Sequence, residues 1–208
     1  MKLYSFSGSC ALATHIVLEW IGKPYTVQLM QKDDLSKPDY LKLNPNHQVP
    51  TIDEDGWVLY ENAAILNYLA DKYPEAGLGG DGTSRGRAEV NRWLAIINSD
   101  MHPAFKPLFG TTNYLDDPTM IAKTHDNARA RLRVYFEQMD KQLGKHEWLA
   151  GTRSIADPYL FVLLRWAKGV KVDLSGLDNL KQFEQRMRAD AGVQNALKGE
   201  RLDQARAA

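Results

Sequence analysis

Over the first 73 residues, apolar and polar positions form short runs whose period changes several times. KLYSF and YTVQLM have the composition of short strands. Between them ALATHIVLEWIG repeats its apolar residues at helical spacing, with Gly22 at its end and Pro24 just beyond. This order predicts a β-α-β unit, followed by a short irregular helix around Lys37 to Leu43.

The next segment, VPTIDEDGWVLYE, predicts a hairpin in which TI and WVLY are strands and Glu54-Asp55-Gly56 is the turn. The helical pattern ENAAILNYLADKY follows it. The glycine-rich stretch from Pro74 to Ser84 has no periodicity and predicts a linker. We therefore expect an α/β domain over residues 1–77 and a second domain over residues 84–208.

Beyond the linker the strand signals disappear, which predicts an all-helical second domain. A first long helix is indicated by the spacing of Val90, Trp93, Leu94, Ile97 and Met101. A second begins at Pro118 behind Asp117 as N-cap. Shorter helices are expected at Leu177 to Met187 and Val193 to Leu197, and the polar tail after Glu200 is expected to fray.

One further helix, from Ile155 to about Val170, is apolar nearly all round. This pattern predicts a helix at the centre of the second domain. Its start, Ser154-Ile-Ala-Asp157, has the spacing of a capping box, with Asp where Glu or Gln is usual.

The composition of the chain limits the kinds of ligand and location that it can have. The chain has 26 Lys plus Arg and 26 Asp plus Glu, so no net field draws it to nucleic acid or to an anionic membrane. No segment approaches the roughly 20 apolar residues that span a bilayer. A single cysteine and a start without a signal-peptide pattern lead us to expect a reducing cytoplasm. The histidines lack metal-binding spacing, so metal chemistry is not expected.

The single cysteine, Cys10, falls between the first strand and the first helix. A thiol there faces unpaired backbone N–H groups and the positive end of the helix dipole, which lower a thiol pKa from about 8.5 into the range of about 3.5–7.5. The alternative is that Cys10 packs inward as a small apolar residue. Position alone leaves both open.

Two other features point to ligand binding, each with a plainer alternative. Val49-Pro50 at the entrance to a strand can be cis, which frees the Val49 backbone to pair with an extended peptide; an ordinary trans proline in an edge strand is the alternative. Glu61-Asn62 opens a helix, where the acid can hold an ammonium group and the helix N–H groups a carboxylate; simple capping is the alternative.

Taken together, these elements resemble the thioredoxin-like and helical domains of the glutathione transferases. KLYSFSGSCALATHIVL resembles the signature of the bacterial beta class, in which a cysteine faces the glutathione sulfur. WLAIINSDMHPAFKPLF, GTRSIADPYLF and VLLRWA resemble the same class, so the similarity covers essentially the whole chain. It implies a homodimeric enzyme that conjugates glutathione, as co-substrate, to small apolar electrophiles.

The resemblance also implies roles for residues around the glutathione sulfur. Cys10 contacts this sulfur or forms a mixed disulfide with it, with the Ser9 backbone nearby. Val49, beside a cis Pro50, pairs its backbone with the cysteinyl unit. His102 faces the sulfur as acid–base partner or holds the thiolate; without the resemblance, a solvated or hydrogen-bonded histidine is the expectation.

The remaining roles concern the two ends of glutathione. Glu61 and Asn62 hold the γ-glutamyl end, and Lys32 approaches the glycyl carboxylate. Ser99 and Asp100 reach across the dimer interface to the glutathione of the partner.

The chain departs from the class at three positions: Ala95 replaces an asparagine near the sulfur, Pro103 replaces a basic residue, and Ser5 replaces a tyrosine. These departures raise doubt about the polar side chains that, in the class, lie behind the residues contacting the glutathione sulfur. Four aromatic residues are candidates for the electrophile pocket or, alternatively, for the core: Phe105, Phe109, Tyr159 and Trp166.

Two rival functions remain open at this point. One is a glutathione-dependent thiol–disulfide oxidoreductase, in which glutathione supplies the resolving thiol because the chain has no CxxC pair. The other is a non-catalytic binding or scaffold protein of the same fold. A chloronitrobenzene assay beside a mixed-disulfide assay separates the first from conjugation, and calorimetry with glutathione tests the second.

Overall fold

The computed structural model describes residues 1–202. Its sheet has four strands in the order β2-β1-β3-β4. They are β1 (Lys2–Ser5), β2 (Thr26–Leu29), β3 (Thr51–Glu54) and β4 (Trp57–Tyr60). Strand β1 pairs parallel with β2 and antiparallel with β3, which pairs antiparallel with β4. The predicted β-α-β unit and hairpin are both confirmed.

The helix between β1 and β2 is α1 (Ala11–Ile21), and it ends where the sequence predicts. Gly22 adopts a φ of 69°, a left-handed conformation that costs glycine little, and its N–H donates to Leu18 O. In the hairpin, Glu54 pairs with Trp57 as part of the ladder, so the turn contains only Asp55 and Gly56. Both have positive φ, as a two-residue hairpin of this kind requires.

The segment between β2 and β3 contains two short helical pieces where the sequence predicts one. Lys32–Ser36 forms a 3-10 turn, and Pro38–Leu41 forms α2. Proline favours the first helical position because its fixed φ suits the helix, and this separates α2 from the turn before it. The buried Tyr40 of α2 then packs in a small cluster with Tyr4 of β1 and Met30, and Val49 packs against this cluster.

Helix α3 (Asn62–Lys72) follows the hairpin, and a short 3-10 turn (Pro74–Ala76) leads to α4 (Ser84–Ala95). The sequence predicts that this helix continues through Met101. Instead a π-helical segment, Ile96–Met101, comes next, followed by α5 (His102–Ala104). Such π segments change which residues face a neighbour and are frequent at functional sites.

The other helices of the second half lie close to their predicted positions. Helix α6 (Pro118–Leu143) begins behind Asp117, whose side chain accepts from the N–H groups of Thr119 and Met120. Helix α7 (Ala156–Gly169) is buried along most of its length, as its apolar pattern predicts. Helices α8 (Asp178–Ala189) and α9 (Ala191–Gly199) complete the fold.

The hydrophobic core is shared by both halves, since α1 packs on α3 and also on α7 and α9. The boundaries at residues 77 and 84 therefore remain a prediction. The last described residues are anchored, not frayed: Arg201 N–H donates to Lys198 O and Leu202 N–H to Leu197 O. This is the Schellman pattern that closes a helix. The rest of the predicted tail lies outside the described residues.

Candidate functional site

A cavity of about 530 Å³ opens between the sheet half and the helical half. Its walls come from the loop before α1, the segment before β3, the start of α3 and the π segment with α5. The cavity brings together most of the residues that the sequence analysis singles out: Cys10, Lys32, Val49, Pro50, Glu61, Asn62 and His102.

Cys10 lies at the N-terminus of α1 and lines this cavity, so it is not sealed in the core. Its Sγ lies 3.5 Å from Val49 O, within reach of a weak S–H donor. Burial raises the pKa of the Cys10 thiol to about 12, and the charges of Glu61 and Glu200 act in the same direction. The N–H groups of Cys10 and Ala11 lower this pKa, but by less than burial raises it.

The expectation of a lowered Cys10 pKa is therefore wrong. Helix position supplied the favourable N–H groups, but the cost of removing a thiolate from water exceeds their contribution. Cys10 is a protonated thiol at neutral pH. Ser9 lies beside it without lining the cavity; its hydroxyl accepts from Ala11 N–H at 3.3 Å and so caps the first turn of α1.

The segment before β3 presents an open backbone to the cavity. The Val49–Pro50 peptide bond is cis, as anticipated. Within residues 1–202 the Val49 N–H has no backbone partner. Two buried side chains fix this segment by binding Gln48 O: Tyr40 Oη at 2.5 Å and Asn44 Nδ2 at 2.9 Å. Sequence reasoning missed Asn44, although the Asn-Pro-Asn turn before Val49 is a signal for such a contact.

Glu61 and Asn62, at the start of α3, differ in what they offer a ligand. Glu61 is exposed to the cavity and has a φ of 75°, a strained conformation that costs a non-glycine residue about 1–3 kcal/mol. Asn62 is buried and uses both ends of its amide internally. Its Nδ2 donates to Cys10 O at 3.1 Å, and its Oδ1 accepts from Thr14 Oγ1 at 2.8 Å. The side chain of Asn62 thus joins the starts of α1 and α3.

Lys32 and Lys106 bring positive charge to the rim of the cavity. Both side chains are exposed, and neither forms an ion pair with another described residue. The sequence analysis anticipated Lys32 but not Lys106. A lysine at position 106 lies one turn after Pro103, the position where the class usually has a basic residue.

His102 lines the cavity from the helical half. Its Nδ1 lies 2.6 Å from the hydroxyl of Tyr159, which is completely buried in α7. Burial, assisted by the charge of Lys106, lowers the pKa of His102 to about 4, so the ring is neutral at pH 7. Trp166 meets the ring edge-on at a centroid distance of 4.9 Å.

The π segment next to His102 decides which of its residues enter the cavity. Ser99 and Asp100 are exposed and do not line the cavity of their own chain, and Ala95 is also exposed. Asn98 does line it, and its Oδ1 accepts from the Tyr159 hydroxyl at 3.2 Å. Sequence reasoning missed Asn98 because its side chain is polar, although helical spacing from Val90 and Leu94 places it beside the apolar face.

The four aromatic candidates divide between core and site. Phe105 is fully buried and stacks on Phe109, which is half exposed, at a centroid distance of 5.8 Å. Trp166 packs edge-on against both. Tyr159 alone of the four lines the cavity, where Phe6 and Pro103 supply further apolar surface.

Glu200, near the end of the described chain, is the largest omission of the sequence analysis. Its carboxylate is completely buried beneath the loop that precedes Cys10. It accepts from Ser5 Oγ at 2.7 Å, from Gly8 N–H at 2.9 Å and from His15 Nδ1 at 3.4 Å. Ser5 therefore binds the C-terminal region and does not face the cavity, which accounts for that departure from the class pattern.

The fold has a thioredoxin-like half, an all-helical half and a cavity between them that contains a cysteine. This arrangement defines a class of glutathione-binding enzymes, and comparison with known proteins assigns the chain to the same class. Residues 8–72 match the model for the N-terminal domain of glutathione S-transferase, and residues 101–190 match the model for its C-terminal domain. The chain belongs to the glutathione S-transferase family, and glutathione is its co-substrate.

Individual relatives cover the chain almost completely. Glutathione S-transferase GST-4.5 of Xanthomonas campestris is 52% identical, with 98% of this chain and 100% of that protein aligned. The structure of a glutathione S-transferase from Xylella fastidiosa superposes with a TM-score of 0.95 at 52% identity, covering 97% and 98% of the two chains. The structure of a bacterial beta-class glutathione S-transferase from Sphingomonas chungbukensis superposes with a TM-score of 0.85 at 33% sequence identity. The alignment covers 97% of this chain and 100% of that chain.

Two kinds of feature are absent from the described residues. None of the helices in residues 1–202 is both long and apolar enough to cross a membrane. Over the same residues, no group of three or more His, Cys, Asp or Glu side chains is arranged to hold a metal ion.

Proposed function

We propose that glutathione binds in the cavity with its thiol between Cys10 and His102, and that this thiol attacks a small apolar electrophile held against Phe6 and Pro103. The observation that carries the proposal is that the Cys10 thiol and the His102 imidazole line the same cavity, Cys10 from the start of α1 and His102 from the helical half. Burial raises the pKa of Cys10 and lowers that of His102, which favours the uncharged form of each. A neutral imidazole can accept a proton, and a protonated thiol can donate a hydrogen bond to the sulfur anion that results.

The reaction then proceeds in two steps. His102 Nε2 takes the proton of the glutathione thiol, and the thiolate stabilises the imidazolium because opposite charges at close range favour both charged forms. The thiolate sulfur next forms a bond to the electrophilic carbon, and the leaving group departs with its electron pair. Lys106, which destabilises a protonated His102, also favours an anion near the ring.

The ends of glutathione have matching groups in the cavity. The Val49 N–H and C=O are available to pair with the cysteinyl unit of the tripeptide. Glu61 suits the γ-glutamyl ammonium group, and Lys32 suits the glycyl carboxylate. We assign Asn62 a different part from the one its family position implies, since its buried amide bonds Cys10 O and Thr14 Oγ1 and so joins the starts of α1 and α3.

Steady-state conjugation of a chloronitrobenzene tests the assignment. His102→Gln is expected to lower kcat by about 10²–10⁴-fold, the usual range for losing a general base, with little change in the KM for glutathione. His146→Gln is the matched control, because His146 is exposed in the loop after α6. Equal kcat values for both variants and wild type would remove His102 from the mechanism.

Thiol–disulfide exchange through Cys10 is a second activity, favoured by the accessibility of the lone sulfur. Here the Cys10 thiolate attacks the disulfide of oxidised glutathione, a mixed disulfide forms and one glutathione thiolate leaves. Because the Cys10 pKa is about 12, the rate should rise about tenfold per pH unit between pH 6 and 9. Intact-mass measurement of the adduct, with Cys10→Ala as control, checks this; a pH-independent rate above pH 7 would mean an activated thiol.

The assembly is proposed to be a homodimer in the cytoplasm. Ser99 and Asp100 support it, because they are exposed on the π segment whose opposite side lines the cavity. From there a second copy can place them near its neighbour's glutathione. Sedimentation at micromolar concentration decides the oligomeric state, and Ser99→Ala should raise the KM for glutathione only if the dimer forms.

A further inference from the structure

Three side chains form a hydrogen-bonded row that ends at His102. Asn98 Oδ1 lies 3.2 Å from the Tyr159 hydroxyl, and this hydroxyl lies 2.6 Å from His102 Nδ1. Tyr159 is completely buried, whereas Asn98 and His102 are partly buried, and all three line the cavity. Within the row the Tyr159 hydroxyl has two neighbours but only one proton to donate. The side chain of Asn62 also lies close enough to lower the pKa of this hydroxyl by hydrogen bonding, which it does as a donor.

The protons in this row can be counted. His102 is neutral, so exactly one ring nitrogen carries hydrogen. Burial raises the pKa of Tyr159 well above its usual value, so its hydroxyl keeps its proton. Asn98 Oδ1 can only accept, which requires Tyr159 to donate to it. The Tyr159 oxygen is then left to accept from His102, and the imidazole proton must lie on Nδ1.

The reverse arrangement satisfies fewer groups. If Tyr159 donated to Nδ1, Asn98 Oδ1 would lose its donor, and the His102 proton would move to Nε2. Restoring a bond to Asn98 would then require its amide to turn over and present NH₂ to Tyr159. Within residues 1–202 Nε2 has no hydrogen-bond partner and is not among the buried unpaired atoms, so it faces the cavity that the ring lines.

Asn98 belongs to the π segment. It lies on the cavity side, about one turn before His102, while Ala95 points outward. The polar group that the sequence analysis expected at position 95 is therefore supplied from position 98. It acts on the histidine through Tyr159 and not on the glutathione sulfur directly.

We propose that Asn98, acting through the Tyr159 hydroxyl, holds His102 in the tautomer with hydrogen on Nδ1 and so leaves Nε2 as a bare acceptor for the glutathione thiol proton. Asn98 and Tyr159 are positioning residues for the base. The inference rests on the proposed role of His102, but the tautomer exists in the free protein and can be measured without catalysis.

The test uses the full chain labelled with nitrogen-15 in histidine, at pH 7 and without glutathione. The nitrogen shifts and their couplings to the ring C–H protons show which nitrogen of His102 is protonated, with His102→Gln used to assign the signals. Wild type should carry hydrogen on Nδ1. In Asn98→Ala, Tyr159 has no other acceptor in the row, so hydrogen should move to Nε2. Asn98→Asp keeps an acceptor oxygen and should restore the Nδ1 form.

The rates of glutathione conjugation by the same variants should change in parallel with the tautomer. Asn98→Ala should lower kcat roughly tenfold, with the KM for glutathione unchanged. A tenfold change in the ratio of the two tautomers corresponds to about 1.4 kcal/mol, which is the size of one hydrogen bond. Asn98→Asp should recover most of the loss. Asn195→Ala, an exposed asparagine on α9, should match wild type in both measurements.

The outcomes separate this inference from the proposed function. Hydrogen on Nε2 in wild type, or on Nδ1 in both wild type and Asn98→Ala, overturns the inference even if His102→Gln is inactive. If the tautomer responds as expected but His102→Gln is active, the control of the tautomer by Asn98 and Tyr159 is supported and the role of His102 as base is refuted. Urea unfolding of each variant identifies any that lose activity by unfolding.

Discussion

Replacing Glu200 should disturb the active-site loop from the far end of the chain. Its buried carboxylate receives the Gly8 N–H and the Ser5 hydroxyl, and its backbone oxygen receives the Ser7 hydroxyl at 2.6 Å. Trp166 Nε1 donates to the carbonyl of the same residue, at 2.8 Å from Gly8 O. The end of β1 and the loop before Cys10 are thus bound at Ser5, Ser7 and Gly8 by residues of the helical half.

The structure sets the size of the effect. Glu200→Ala leaves the Gly8 N–H and Ser5 hydroxyl without a partner, and each buried unsatisfied group costs about 1–3 kcal/mol, so a loss of about 2–6 kcal/mol is expected. Glu200→Gln can still accept from Gly8, while the Ser5 hydroxyl turns to accept from its NH₂. Two charge-assisted bonds become neutral ones, each about 1 kcal/mol weaker, offset partly by the smaller desolvation cost of an amide; about 1–2 kcal/mol remains.

Urea unfolding measures these losses, with Glu147→Gln as a control that makes the same charge change on the surface. Alkylation of Cys10 gives a second readout. The Glu200 charge raises the Cys10 pKa, so Glu200→Gln should speed alkylation at fixed pH. A double-mutant cycle with Trp166→Phe should show a coupling of about 0.5–3 kcal/mol, because both side chains hold Gly8. Wild-type midpoints and alkylation rates in both Glu200 variants would contradict the reasoning.

Three further changes have defined outcomes. Burial raises the pKa of Asp157 to about 6 despite donors at Leu149 and Ser154. Its contribution to stability is therefore complete only below the unfolded value of 3.8 and is lost as pH rises through 6. Relative to Asp157→Asn, wild type should lose about 2 kcal/mol in unfolding experiments between pH 4 and 7. The ring C–H signals of His102 should not shift between pH 8 and 5, since its pKa is about 4; a midpoint near 6.5 would mean a solvated ring. Asp117→Ala should cost about 1 kcal/mol in urea unfolding, because it removes the N-cap of α6.

Features that depend on near neighbours in the chain were predictable. The hairpin turn, the end of α1 at Gly22 and the start of α6 at Asp117 follow from the conformational preferences and hydrogen bonds of a few adjacent residues. The capping box was right in part: Ser154 N–H donates to Asp157 Oδ2 at 2.8 Å, but the Ser154 hydroxyl accepts from Ala156 N–H, one position earlier than the motif implies.

The properties of the site that were missed depend on distant residues. The Cys10 pKa is dominated by burial, which arises only when both halves pack over the sulfur, so its position at a helix start gave the wrong direction. Periodicity places Asn98 beside the apolar face of the helix but cannot show that its partner is the hydroxyl of Tyr159, 61 residues further along the chain. Glu200 lies in a stretch that looks like a polar tail, and nothing near it in the sequence indicates Gly8 as its partner.

These long-range contacts make the catalytic geometry depend on how the two halves pack together. Gly8 is bound through its N–H by Glu200 and through its C=O by Trp166, and Trp166 also packs edge-on against His102. Because one side chain touches both the loop that positions Cys10 and the ring of the proposed base, a shift of the helical half moves the thiol and the imidazole together. A mutation that loosens this packing should therefore make Cys10 easier to alkylate. It should also lower the turnover that depends on His102, and both changes should occur before global unfolding is detectable.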